Sequence, residues 1–187
     1  MKYLISIIIT LSLFVILLFN TLPTKAFNTA TIVKVPYEFL NVSEKKEIDC
    51  LTENIFHEAA YEPRDGQVAV ALVTLNRVKS NQFPDTVCGV VHQKTSFYNR
   101  VICQFSWLCE EKKSLTEKHQ SVYNSVRDVA LYVYFNHAVI EDLTQGAIYY
   151  HADYVSPNWS RLEKTTKIGR HIFYIDPKVR TRYDGKT

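Results

Sequence analysis

The chain has 187 residues, with 22 lysines and arginines against 19 acidic residues, a net charge of +3, and hydrophobic side chains at 47% of positions. That composition is globular rather than disordered, and the near balance of charge excludes bulk electrostatic capture of nucleic acid or anionic lipid as the working principle. A ligand recognised by a shaped site is the class that remains.

Lys2 precedes an apolar run from Leu4 to Phe19, broken only by Ser6, Thr10 and Ser12, and Pro23 is followed by Thr24-Lys25-Ala26. A positive start, a short apolar core and a small residue before a cut predict a secretory signal peptide over residues 1–26, with an uncleaved membrane anchor as the alternative. Either one places the rest of the chain outside the cytoplasmic membrane, in the periplasm or cell envelope, secreted or associated with the membrane at its N-terminus. Without that segment 161 residues remain, and since its two lysines have no acidic partners there, the net charge falls to +1. This is the size of one ordinary domain. The four cysteines, Cys50, Cys88, Cys103 and Cys109, predict disulfides in an exported chain. None of their intervals fits paired metal-ligand spacing, and all three connectivities stay open.

Residues 27–42 read as a linker, and 43–187 as the functional domain. Asn41 or Ser43 offers a helix N-cap, and Ile48, Leu51, Ile55 and Ala59 recur at helical steps until Pro63. Asp65 is the expected cap of a second, buried helix over Gln67–Lys79. The stretch from Asn81 to Trp107, broken by Pro84 and Gly89, predicts short elements pinned by sulfur and forming one wall of a cleft. Thr116 caps a long helix to about Asn136. From Gly146 onward, aromatic and β-branched residues predict strands over Ala147–Val155 and Lys167–Ile175, with a turn at Ser156-Pro157-Asn158.

Three clusters can carry chemistry. In Phe56-His57-Glu58-Ala59-Ala60-Tyr61-Glu62-Pro63, Glu58 shares a stripe with Leu51 and Ile55. A carboxyl among apolar side chains loses hydration, so it holds its proton to higher pH and suits general acid catalysis. The alternative is a surface carboxylate that bends into solvent or pairs with Arg77 or Arg64. His57-Glu58 begins like H-E-x-x-H, but position 61 is tyrosine, and neither a zinc site nor a G-x-S-x-G nucleophile is expected. In Cys103-Gln104-Phe105-Ser106-Trp107, Gln104, Phe105 and Ser106 suit sugar recognition through amide hydrogen bonds and ring stacking, or else the loop packs Phe105 and Trp107 into the core. In Tyr149-Tyr150-His151-Ala152-Asp153, strand alternation sets Tyr150 and Ala152 on one face and Tyr149, His151 and Asp153 on the other. Tyr149, Tyr150 and His151 are expected to position substrate.

Taken together, C-L-T-E-N-I-F-H-E-A-A-Y-E-P-R-D-G-Q-V-A-V-A-L-V-T-L-N-R-V at 50–78, F-P-D-T-V-C-G-V-V at 83–91, C-Q-F-S-W at 103–107, G-A-I-Y-Y-H-A-D-Y-V-S-P-N-W at 146–159 and I-G-R-H-I-F-Y at 168–174 closely resemble the SleB-like cell wall hydrolases, the family of spore cortex-lytic enzymes. The blocks occur in the family's order over about residues 47–176, departing from its pattern at Ala60, Tyr61, Ile148 and Tyr149. The resemblance implies an α+β, mainly helical, lysozyme-like fold with a small β-sheet, related to goose-type lysozymes and lytic transglycosylases. It also implies Glu58 as the catalytic acid and peptidoglycan glycan strands as the substrate, cut between N-acetylmuramic acid and N-acetylglucosamine by lytic transglycosylation. A monomer is expected, with no cofactor, no metal and no nucleic-acid partner. Three alternatives stand beside it: a hydrolytic muramidase drawing its second carboxyl from Glu62, Asp65, Asp142 or Asp153, an N-acetylmuramoyl-L-alanine amidase, and a non-catalytic wall-binding protein.

Overall fold

The first helix starts where the sequence places a cap. In the computed structural model, which describes residues 31–110 and 116–179, the side chain of Asn41 accepts from the Glu44 N–H at 2.9 Å and Glu44 Oε2 accepts from the Asn41 N–H at 3.0 Å. This reciprocal capping box opens helix α1 (Val42–Ala59), which buries Ile48, Leu51, Ile55 and Ala59 on one stripe. The expected signal or anchor segment, 1–26, lies outside the described residues. Among those residues no helix is long and apolar enough to cross a membrane.

Helix α2 (Arg64–Lys79) begins earlier than expected, directly after Pro63. The Pro63 carbonyl already accepts from the N–H groups of Gly66 and Gln67, so Asp65 lies inside the first turn and is not the cap. Every residue from Val68 to Arg77 is buried, which makes α2 the central helix. A short helix α3 (Val87–Val91) follows, capped by Thr86, whose Oγ1 accepts from the Gly89 N–H at 3.0 Å. A hairpin of β1 (Lys94–Phe97) and β2 (Arg100–Cys103) comes next, then a 3-10 turn over Ser106–Cys109. Tyr98 and Asn99 close the hairpin with φ of 45° and 61°, the two left-handed residues of a tight two-residue loop.

Two disulfides select one of the three connectivities. Cys50–Cys88 ties α1 to α3, and Cys103–Cys109 closes the 3-10 turn back onto β2. Thiol labelling of the denatured, unreduced protein is therefore expected to find no free cysteine, and labelling of all four would contradict the pairing. Reduction of either bridge should cost about 2 to 4 kcal/mol, read as a lower Tm with a phosphine reductant.

Helix α4 (Glu117–Asn136) starts where the Thr116 Oγ1 accepts from the His119 N–H, and packs Val126, Val129, Ala130 and Val133 against α1 and α2 in one apolar core. Residues 32–41, read from sequence as a linker, lie on this unit. Val33 exchanges two hydrogen bonds with the Asn136 side chain, at 2.7 and 2.8 Å, the Tyr37 hydroxyl donates to Asp49, and Leu40 is buried.

The sheet is antiparallel, in the order β3 (Tyr149–Ala152), β5 (His171–Ile175), β4 (Glu163–Ile168). The single strand expected over Lys167–Ile175 is two strands, because Gly169 takes φ +55° and reverses the chain. A Cβ at Gly169 would run into Glu62 Oε2, which accepts from the Arg170 N–H at 2.9 Å, so glycine lets the turn close on the corner between α1 and α2. Strand β3 is shorter than the expected Ala147–Val155, since the Asp153 and Val155 N–H groups turn to Arg170 and Ala152 carbonyls. The class is the expected α+β, mainly helical with a small sheet.

Candidate active site

Glu58 sits in the last turn of α1, one residue before buried Ala59, where the helix stops short of Pro63. Its carboxyl lines a cleft of about 220 Å³. Helix α2 contributes Arg77 to this cleft, the segment after β2 contributes Gln104, Phe105 and Ser106, β3 contributes Tyr149 and Tyr150, and the loop before β4 contributes Trp159. Burial raises the Glu58 carboxyl above the ordinary carboxylate range. Three groups oppose that rise. The Tyr150 hydroxyl donates to Glu58 Oε2 at 3.1 Å, the Arg77 cation faces it, and the Trp107 indole N–H pulls the same way without reaching hydrogen-bond geometry.

Each of these partners is itself held. Tyr150 packs on Phe173 and His171 at centroid distances of 5.7 and 5.2 Å. Its burial, with the Glu58 charge beside it, keeps the phenol proton well above the ordinary tyrosine range. Tyr150 is thus held as a neutral hydrogen-bond donor near neutral pH. Trp107 stacks on His57 with centroids 4.3 Å apart and planes 12° from parallel. The arrangement places a proton-holding carboxyl, a neutral donor and a buried cation around one open space, which is the equipment of a general acid that must also survive as an anion.

The structure brings Glu58, Gln104, Phe105, Ser106, Tyr149 and Tyr150 together as the sequence analysis grouped them. Phe105 also serves the core, at 5% exposure, and Trp107 packs partly buried against that core. His151 does not line this cleft. It shares a strand face with the cleft residue Tyr149 but stacks on Tyr174, has Nε2 2.9 Å from the Tyr174 hydroxyl and meets the Trp159 ring edge-on at 5.4 Å. Its Nδ1 lies 2.8 Å from the Ala152 carbonyl; a carbonyl only accepts, so Nδ1 carries the proton and Nε2 accepts from Tyr174.

Two cleft residues were not singled out from sequence, Arg77, read only as an ion-pair partner, and Trp159, which appeared only as the last residue of the 146–159 block. A cation inside the run Val68–Val78, which is otherwise free of charge, was the signal for Arg77. For Trp159 there was none beyond its aromatic character.

None of the carboxyls considered as second catalytic groups lines this cleft. Glu62 accepts from Arg170, and Asp153 pairs with Lys167 at 3.0 Å and with Arg170 at 3.5 Å. Asp142 accepts from Asn76, from Thr144 twice, and from Gly146. Asp65 is exposed in the first turn of α2. Among the described residues no second carboxyl lines the Glu58 cleft. A larger cavity of about 390 Å³, between α2 and the Asp142 loop, offers Asp142 only in that fully engaged state. Cys50, Cys88 and His92 converge within 4.8 Å, but the two sulfurs are bonded to each other and leave one ligand rather than three.

Comparison with known proteins bears on this cleft. The Cell Wall Hydrolase family model matches residues 61–174, a segment that begins just after Glu58 and holds every other cleft residue. A spore cortex-lytic enzyme of Oceanobacillus iheyensis is 31% identical over 131 residues, covering 69% of this chain and 41% of that protein. One of Bacillus subtilis is 38% identical over 79 residues, covering 42% of this chain and 25% of that protein. The chain thus spans about two fifths or less of the length of these relatives. Among solved structures, the catalytic domain of the Bacillus cereus SleB protein is similar over 79% of this chain and 99% of that one, at 26% identity and a TM-score of 0.46.

Proposed function

This chain belongs to the cell wall hydrolase family, and we propose that it cleaves the glycan strands of peptidoglycan outside the cytoplasmic membrane, by lytic transglycosylation, with Glu58 as acid and then base. The observation that carries the proposal is the part-buried Glu58 carboxyl, the one carboxyl lining the cleft among the described residues, with Tyr150 donating to it and Arg77 alongside. A hydrolase would ordinarily need a second carboxyl, as base or nucleophile. Transglycosylation needs only one. The Glu58 proton goes to the glycosidic oxygen, and the bond from that oxygen to the muramic acid anomeric carbon breaks, its electron pair staying on the oxygen. The 6-hydroxyl oxygen of the same muramic acid then bonds to the anomeric carbon, and its proton returns to the Glu58 carboxylate. Atoms balance without water, and the product is a 1,6-anhydro sugar. Gln104, Ser106 and Tyr149 supply hydrogen-bonding groups for hydroxyl and acetamido substituents, and Trp159 and Phe105 supply ring faces.

The test is to digest purified sacculi and compare loss of turbidity with the appearance of new reducing ends. Clearing without reducing ends is expected, and stoichiometric reducing ends would replace transglycosylation with hydrolysis while leaving Glu58 as the acid. Tyr150 allows a second test. Its hydrogen bond favours the Glu58 carboxylate, so Tyr150→Phe should raise the carboxyl further, and the protonated acid should persist to higher pH. The basic limb of the cleavage profile is therefore expected to move upward in Tyr150→Phe, and an unmoved limb would remove Tyr150 from the proton chemistry.

A further inference from the structure

A buried guanidinium in the last turn of the central helix requires a reason. Arg77 is 3% exposed. Its Nε–H donates to the Ile148 carbonyl at 2.7 Å, and its planar group lies against the rings of Phe83 and Phe105, 5.3 Å from each centroid. Nη1 is buried without a hydrogen-bond partner. Packing does not explain this choice, since an apolar side chain of similar length would fill the space against two rings without the cost of dehydrating a charge. What the cation adds is a fixed positive charge on the wall of the cleft that holds Glu58.

We propose that Arg77 is a positioning residue for the Glu58 reaction: held by two rings and a carbonyl, its cation acts through the Glu58 carboxyl and steadies the carboxylate that forms once the proton has passed to the glycosidic oxygen. The inference rests on Glu58 serving as acid and then base. Burial alone would keep that carboxyl neutral, and an acid that resists ionisation is a poor donor. The groups facing Glu58 are the Tyr150 phenol from β3, Arg77 from α2 and the Trp107 indole from the 3-10 turn, and each favours the anion. Of these only Arg77 brings a full charge. Its own burial works against that charge, while Tyr150, Tyr149 and Glu58 support it, so the cation and the carboxyl are mutually sustained across the cleft.

The experiment separates charge from packing. Arg77→Met keeps the bulk and Arg77→Lys keeps a cation. In protein carrying ¹³C-labelled glutamate, the Glu58 carboxyl signal is assigned by its loss in Glu58→Gln and titrated without substrate. Loss of a neighbouring cation disfavours the carboxylate, so Glu58 in Arg77→Met is expected to titrate about one pH unit or more above the parent. The basic limb of sacculus cleavage should move up with it, whereas Arg77→Lys should stay near the parent in both. Coincident Glu58 titrations in the parent and a folded Arg77→Met overturn the proposal. Should Arg77→Met fail to fold, Arg77→Gln replaces it. Arg77→Lys also decides independently, since a displacement as large as that expected for Arg77→Met would show that charge is not what matters. Because the titration needs no substrate, a parent protein that leaves sacculi intact would refute the glycan-cleaving function without touching the coupling of Arg77 to Glu58.

Discussion

Glu58→Gln is expected to fold and to lose glycan cleavage by about 10² to 10⁴, the worth of general acid assistance, or more because the same group also serves as base. Glutamine preserves the size of the side chain, and its amide can still accept the Tyr150 hydrogen bond that now measures 3.1 Å. What disappears is the exchangeable proton. Circular dichroism should match the parent, so the loss reads as chemistry rather than unfolding. Glu62→Gln is the internal control. Glu62 lies one turn later, and its Oε2 accepts from the Arg170 N–H, a bond that a glutamine carbonyl can keep. It should lose much less activity. Equal losses in the two variants would mean that Glu58 has no special role.

The second large effect concerns Phe173. It is fully buried on β5, the central strand of the sheet, and packs with Ala69, Val73 and Ala147 between the sheet and α2. Phe173→Ala removes that packing and leaves a cavity, at an expected cost of about 3 to 5 kcal/mol. For a domain of this size that is a fall in Tm on the order of 10 °C. The same ring lies 5.7 Å from that of Tyr150, so activity at temperatures where the variant is still folded should fall as well. Urea unfolding gives the number, and a loss below about 1 kcal/mol would show that the sheet and α2 repack without it.

Much of this was legible in the sequence because the signals were local. Asn41 and Thr116 cap the helices they were expected to cap, since a side-chain oxygen ahead of an apolar period answers an orphan N–H whatever the tertiary context. Glu58 was legible for the same reason, as a carboxyl in phase with Leu51 and Ile55. What escaped depended on contacts distant in sequence or on unusual backbone. The break at Gly169 looked like the interior of a strand, because its neighbours favour strand and the reason for glycine, the Glu62 carboxylate, lies far away in sequence. The β1–β2 hairpin turns on Tyr98-Asn99, which lacks the glycine that usually marks such a loop. His151 had the chemistry of a site residue, but contacts distant in sequence, with Tyr174 and Trp159, hold its ring outside the cleft lining. Arg77 was legible only as a surface ion-pair partner for Glu58, and its burial, which that reading did not expect, depends on contacts with Phe83, Phe105 and Ile148 distant in sequence.

The central claim is that this cleft breaks the glycan strand itself, and the most direct test is mass analysis of the soluble fragments released from purified sacculi. Disaccharide units still carrying their stem peptides and ending in 1,6-anhydro muramic acid, one water lighter than the hydrolytic product, are the expected result, and they should be absent with Glu58→Gln. Release of free stem peptides from uncut glycan would contradict the account, because it would place the scissile bond at the amide and leave the Glu58 cleft without its substrate.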